Sequence, residues 1–377
     1  RKLEFKEDFI LDNVDHVEFQ NYIEKVGQHQ NKELYNKFED KIGEINRINI
    51  AKYEKLDKTG KNKNANICIA REKSTGKILQ AEILFKEIEE FNEDEIEHLA
   101  LEVKILDKLK HKAIISFIGF SMIDFKKFDR PVILTEIVKN GSLHDYIEQE
   151  TFLNNSDSDW NAVKKLINIY GIASAMSQLH KNNIINRNLK SENILLDQLL
   201  YPKLSDFKIC FDISDKNDDR ANCMKKSDVY SFGLIVYEIL TNKVPYEDDS
   251  TLTTNTHFDL LLGNEIPLCF KILIEKCLKQ VPFDRPSFEE IISTLKTQEF
   301  ITFLNSEDQK EEYFNYIYSI ESENQVGKAI NIYKYQMISK ICDKFNSEIF
   351  KIQEKSTKKY FAAKAFTKEK EELPDEY

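Results

Sequence analysis

The chain has little of what builds specialised architectures. Its 377 residues include only 10 Gly, 7 Pro and 1 Trp, too few for a fibrous or low-complexity polymer. With 41% hydrophobic and 32% charged residues, the composition is that of a globular chain with room for two or three domains. Cysteine is sparse and scattered. Cys68, Cys210, Cys223, Cys269, Cys277 and Cys342 form no C-x-x-C pair and no metal-ligand spacing with His, which points to reduced thiols in a cytoplasmic protein. Positive charge is also short: 54 Lys and Arg against 65 Asp and Glu leave a net charge of −11. A nucleic-acid surface would be repelled, so no nucleic-acid partner is expected. No apolar run is long enough to span a membrane, and the stretch 234–240 is broken by Tyr237 and Glu238. The first residue is Arg1 and no signal-peptide pattern follows, as expected of a piece of a longer polypeptide.

What the chain does have is an internal repeat. Residues 49–87 align without a gap to 331–369 at a constant offset of 282, and 15 of the 39 pairs are identical. Glu72-Lys73-Ser74-Thr75 faces Glu354-Lys355-Ser356-Thr357. A weaker echo pairs Phe19-Gln20-Asn21-Tyr22-Ile23 with Tyr313-Phe314-Asn315-Tyr316-Ile317. A tandem array accounts for both. Its expected parts are the helical tail of a preceding unit (1–27), a linker (28–51), one complete unit (52–298), its helical tail or linker (299–330) and the first strands of a following unit (331–377).

Within the complete unit, 53–59, 66–71 and 77–84 read as strands, with a turn at Lys73-Ser74-Thr75-Gly76. Asn92 is placed to cap a helix whose first turn is acidic and whose apolar stripe is Ile96, Leu99, Val103 and Leu106. Residues 160–180 and 228–241 read as buried helices. Strands followed by helices predict an α+β domain in two parts.

Six blocks, in order, carry a resemblance to the eukaryotic protein kinases, most closely the tyrosine-kinase-like group. They are HKAIISFIGF (111–120), TEIVKNGSL (135–143), IINRNLKSENILL (184–196), PKLSDF (202–207), KSDVYSFGLIVYEILT (226–241) and FDRPSFEEII (283–292). The resemblance implies a bilobal fold, with a β-rich lobe over 52–138 and a helical lobe over 139–298, and it implies ATP and Mg2+ as cofactors. Phosphoryl transfer rests on positioning and charge, so each chemical part has to be inspected separately.

Several parts depart from the family. The glycine-rich loop reads Gly60, Asn62, Ala65, Ile67, keeping one glycine of three, so close backbone contact with phosphates is weakened. At the phosphate-pairing lysine stands Glu82, in Gln80-Ala81-Glu82, facing the inward-pointing helix acid Glu102. Two facing carboxylates must protonate, find a cation or separate. The second copy keeps a lysine there, Lys364. The catalytic loop reads Asn186-Arg187-Asn188-Leu189-Lys190-Ser191-Glu192-Asn193, with Asn188 at the proton-acceptor position. Loss of a positioned base typically costs roughly 10²–10⁴-fold in rate. Arg187, Lys190 and the metal-ligand positions Asn193 and Asp206 match the pattern. The glycine after Asp206-Phe207 is Lys208, a candidate partner for Glu82 or Glu102. No A-P-E triplet occurs in the short polar stretch 212–226, leaving Asp218 or Asp219 to pair with Arg285. Ile67, Ala81 and Leu195 match the adenine shelf, and Thr135, Glu136 and Val138 the hinge; Asp228 matches the residue that anchors the catalytic loop.

The expected function is a catalytically inactive kinase-like unit serving as a regulatory or scaffolding module, with protein partners that include adjacent units of its own polypeptide. The substitutions weaken the case for ATP and Mg2+ binding. The alternative is an active Ser/Thr or Tyr kinase with relocated charges, Lys61 or Lys63 supplying the missing ammonium.

Overall fold

The computed structural model describes residues 32–43, 45–61, 65–153, 158–212, 219–243, 266–323, 335–344, 347–354 and 358–366. They fall into two compact units, 1–324 and 325–377. The expected tail at 1–27 lies outside the described residues.

The first unit begins with helix α1 (Lys32–Ile42). Strands β1 (Tyr53–Lys61), β2 (Ala65–Glu72) and β3 (Ile78–Leu84) follow, then helix α2 (Glu93–Lys108) and strands β4 (Phe117–Ser121) and β5 (Val132–Glu136). The strands form one antiparallel sheet in the order β1-β2-β3-β5-β4. The start of α2 is set locally. The Asn92 side chain accepts from the Glu95 amide, Glu95 reaches back to the Asn92 amide, and three acidic residues occupy the positive end of the helix. Its stripe Ile96, Leu99, Val103 and Leu106 is buried.

Beyond Glu136 the chain turns helical, with α3 (Leu143–Leu153) and α4 (Ala162–Lys181). Short strands β6 (Ile184–Ile185), β7 (Ile194–Leu196), β8 (Pro202–Leu204) and β9 (Phe211–Asp212) carry the loops of the site, pairing as β6 with β9 and β7 with β8. Helices α5 (Asp219–Thr241), α6 (Leu268–Cys277), α7 (Phe288–Leu295), α8 (Gln298–Ile301) and α9 (Glu307–Glu323) complete the lobe around α4, which is buried on nearly every side. The architecture is a five-stranded antiparallel lobe followed by a helical lobe.

Three expectations about boundaries differ from what is observed. The stretch 28–51, read as a linker, contains α1, whose Phe38 and Ile42 are each 1% exposed and belong to the same core as α2. Residues 299–330, read as a helical tail or linker, are helical over Glu307–Glu323, but that helix packs onto the lobe: Tyr313, Tyr316, Ile317 and Ile320 make a buried stripe at helical spacing, and the Tyr170 and Tyr313 rings meet edge to face at 5.9 Å. A Cβ on Gly171 of α4 would collide with the Tyr316 hydroxyl, so that glycine admits the close approach of α9. Finally, α5 starts at Asp219, so most of the polar stretch 212–226 is helical, as the helix formers Arg220, Ala221, Met224, Lys225 and Lys226 allow.

The second unit is a three-stranded antiparallel sheet, β10 (Tyr335–Lys344), β11 (Ser347–Glu354) and β12 (Tyr360–Phe366), in that order. Its register repeats that of β1–β3 at the offset of 282. Tyr335 pairs with Glu354 as Tyr53 does with Glu72, Cys342 with Ile349 as Gly60 with Ile67, and Ser347 with Phe366 as Ala65 with Leu84. The two register shifts in each first hairpin also fall at matching positions.

Candidate active site

The cleft between the lobes is organised by a charge cluster. Glu82 is held in the middle of β3, paired with Ile67 on β2 and Ile133 on β5. The Lys208 ammonium donates to its Oε1 at 2.6 Å. The pair is partly shielded, with side chains 18% and 28% exposed. Below it Glu102 on α2 is 4% exposed. Burial pushes its carboxyl up to about 8, the Glu82 charge adds to that, and Lys208 opposes it. Burial alone would lower the Lys208 ammonium, but the Glu82 and Glu102 carboxylates outweigh it and raise it to about 12. The two facing acids thus have both remedies in reach: Lys208 neutralises Glu82, and burial shifts Glu102 towards its protonated form.

The catalytic loop is fixed from behind. Asp228, buried in α5, accepts the backbone amides of Asn186 and Arg187, each at 2.9 Å, and the His180 Nε2–H at 2.8 Å. Arg187 takes a left-handed φ of 65°, and its side chain lies at the surface. The Asn188 carboxamide donates from Nδ2 to Asp206 Oδ2 at 3.3 Å, and Asn193 Nδ2 donates to the Asn188 carbonyl at 2.9 Å. Lys190 lies 3.4 Å from Glu192 on an exposed face. The structure therefore brings Glu82, Glu102, Asn188, Asn193, Asp206 and Lys208 together, and turns Arg187 and Lys190 outward. An amide at 188 can orient a hydroxyl but has no useful basicity for taking its proton.

At the hinge, Thr135 and Ala81 are buried, while Ile67, Val138 and Leu195 are half-buried around the cleft. Gly60 sits in β1 opposite Ile67; Asn62 and Lys63 lie outside the described residues. The Glu136 side chain receives the Ser116 amide and the Lys203 ammonium, both at 2.8 Å. Burial works against its ionisation, but Lys203 and Ser116 prevail and hold the carboxyl below the usual range. Sequence reasoning missed Lys203, whose only signal is a lysine inside the apolar block Pro202–Leu204. Nearby His111 accepts the Ala113 amide at Nδ1, so its Nε2–H is the donor to Ser174 Oγ at 3.0 Å. Burial lowers its imidazole to about 4, leaving it neutral.

Arg285 was expected to look for an acidic partner. Among the described residues, its guanidinium donates to the carbonyls of Lys279 and Lys226, at 2.8 and 2.9 Å, and stacks over the Tyr230 ring at 4.9 Å. Backbone oxygens and an aromatic face satisfy it. The expected partners, Asp218 and the side chain of Asp219, lie outside the described residues.

The fit to a nucleotide is divided. Asp206 Oδ1 is buried with no hydrogen-bond partner among the described residues, and a carboxylate oxygen of that kind suits a hard divalent cation, with the Asn193 carboxamide as second donor. That donor set is thin, since the described residues include no group of three His, Cys, Asp or Glu able to hold a metal. The phosphate side does not fit. The position that the resemblance gives to a phosphate-pairing ammonium holds the Glu82 carboxylate, and the Lys208 ammonium is already bonded to it.

A five-stranded lobe, a helical lobe and this loop order define a protein-kinase domain. Residues 53–295 match the family described as protein tyrosine and serine/threonine kinase, and the chain belongs to that family. It is similar to Dual specificity protein kinase pyk3 of Dictyostelium discoideum, with 30% identity over 229 residues that cover 54% of this chain and 16% of that protein. It is 28% identical to human Mitogen-activated protein kinase kinase kinase 13 over 66% of this chain and 27% of the relative. Against Mitogen-activated protein kinase kinase kinase zak-1 of Caenorhabditis elegans the figures are 31%, 51% and 29%. The chain thus spans under a third of these relatives' length. Among the described residues, no helix is long and apolar enough to cross a membrane.

Proposed function

We propose that the first unit is a pseudokinase, a kinase-fold module that transfers no phosphoryl group and acts by binding other proteins in signalling. The single observation that carries this reading is the 2.6 Å bond between Lys208 and Glu82. It closes the phosphate-pairing position with an internal ion pair, and a triphosphate arriving there meets a carboxylate. Asn188 supports the same conclusion, because proton acceptance is lost where the family places its base. In this reading Mg2+ and ATP bind weakly or not at all, and the protein is cytoplasmic.

The matching registers of β1–β3 and β10–β12 support a second element of the proposal, a tandem arrangement of kinase-like units in one polypeptide. Adjacent units are then the first partners to consider. The relatives whose names describe kinases favour the opposite reading, an active enzyme with non-standard residues, and Lys208 does place an ammonium in the cleft.

A phosphate-transfer assay on the purified chain with radiolabelled ATP, Mg2+ and a generic protein acceptor separates the two. No label transfer is expected. Transfer by the unmodified chain that vanishes in Asn188→Ala would falsify the pseudokinase reading.

A further inference from the structure

We infer that residues 32–43 and 45–48 are a built-in clamp that holds helix α2 in place from behind, and that this clamp is particular to the complete unit. The inference holds whether or not the unit transfers phosphate, because it concerns only what fixes α2.

The clamp grips in two stretches. Its helical stretch, α1, faces Phe38 and Ile42, four residues apart, into the core, and the Phe38 ring packs against Phe120 of β4 at 5.8 Å. On the same face Lys37 pairs with Glu93 at 2.9 Å and Lys41 pairs with Glu97. Both partners repeat at four-residue spacing, so the two helices run side by side with one charge ladder between them. The extended stretch continues the grip to the other end of α2. The Asn46 amide donates to Asp107 Oδ1 at 3.3 Å, and Asn46 Nδ2 to the Ile118 carbonyl at 2.6 Å. Phe120 donates to the Asn46 carbonyl and Ile48 to the Phe120 carbonyl, both at 3.0 Å. Residues 46–48 thereby cover β4, the last strand of the sheet, whose edge would otherwise be bare.

Gly119 shows that this docking is specified. A Cβ there would run into the Ile48 side chain and come within 3.1 Å of the Asn46 carbonyl oxygen. With glycine, the strap lies flat on β4.

The repeat shows that the clamp is an addition. In the paired copies, 25 residues separate Ile23 from Asn49, whereas only 13 separate Ile317 from Asn331. The 12 extra residues are about what the 11-residue helix α1 occupies.

The consequence falls on the charge cluster. Glu93, Glu97 and Asp107 fix α2 near both ends, and Glu102 lies between them, under Lys208 and Glu82. Release of the strap would leave α2 free to carry Glu102 away from that pair.

Hydrogen–deuterium exchange on the full chain tests this. In Gly119→Ala, amides of α2 should exchange about tenfold faster, while amides of α4 keep their protection. Because Gly119→Ala also alters β4 itself, a second perturbation is needed. Lys41→Glu should loosen α2 in the same selective way, and adding Glu97→Lys, which lies beyond the first turn of α2, should restore it. If residues 32–43 and 45–48 exchange fast in these variants while α2 stays protected, the clamp is a passenger and the inference is overturned. It is equally overturned if α4 loses protection together with α2, since the segment is then only part of the common core.

Discussion

Lys208 and Glu82 form an ion pair inside the cleft, the ammonium of one donating to the carboxylate of the other. Where the kinase resemblance implies a lysine and a glycine, this chain has Glu82 and Lys208, and the two meet at 2.6 Å across 126 residues of sequence. The cleft keeps one ammonium beside the inward acid of α2, but delivers it from the opposite wall.

Reversing one member should therefore be worse than reversing both. Glu82→Lys places two ammoniums against each other over a buried Glu102, and a loss of about 1–3 kcal/mol is expected, less than for a fully buried pair because both side chains are partly exposed. Glu82→Lys with Lys208→Glu should recover most of it. Urea melts of the four proteins in a double-mutant cycle give the coupling directly, and additive losses would show that the ion pair contributes nothing.

The same cluster makes stability depend on pH. Glu102 binds its proton more tightly in the folded protein, with its carboxyl raised to about 8, than in the unfolded chain at 4.5. Between those values the folded state holds more protons, so this contribution is complete below about 4.5 and is lost as pH rises towards 8. His111 acts in the opposite sense: lowered from 6.5 to about 4, its contribution is present above 6.5 and disappears as pH falls. Denaturation midpoints in Glu102→Gln should lose the decline between pH 5 and 8 and keep the acid-side decline. An unchanged slope in that variant would remove Glu102 from the account.

Much of this was legible in the sequence where the signal is local. The Asn92 cap, the stripe Ile96, Leu99, Val103 and Leu106, and the inward angle of Glu102 all follow from spacing within one helix. The repeat offset carried the register of two sheets, since segments that align without a gap keep the same partners. Contacts between distant segments were less legible. Glu82 had three candidate remedies in sequence, and only the folded chain brings Lys208 to it. Phe38 and Ile42 lie in a stretch read as a linker, and only the folded chain shows them buried in the same core as α2 and β4. Strands of two or three residues, such as Pro202–Leu204, are too short for a period to register, so the Lys203–Glu136 pair was missed.

The anchoring of the catalytic loop predicts a large cost elsewhere. Asp228 is the acceptor for two backbone amides and one imidazole, all in a buried setting. Asp228→Ala strands three donors at once, and a loss of about 3 kcal/mol or more is expected, read as a lower denaturation midpoint. A loss below about 1 kcal/mol would mean that water replaces the carboxylate.

Helix α9 gives the last test, because it decides where the folded unit ends. Tyr313 is fully enclosed against Tyr170 and donates to the Leu295 carbonyl at 3.0 Å. Lys164 and the Tyr201 hydroxyl both bond Glu312, at 2.5 and 2.9 Å. Ending the chain at 298 would uncover Tyr170 and Gly171 on the central helix and remove these bonds. That truncation should lower the melting temperature by several degrees, since about 2–4 °C accompany each kcal/mol in a domain of this size. Tyr313→Ala, which empties one aromatic site without exposing the rest, should cost about 3–5 kcal/mol. Should both proteins melt with the parent chain, α9 would be a tail resting on the lobe, and the unit would end where the family match does.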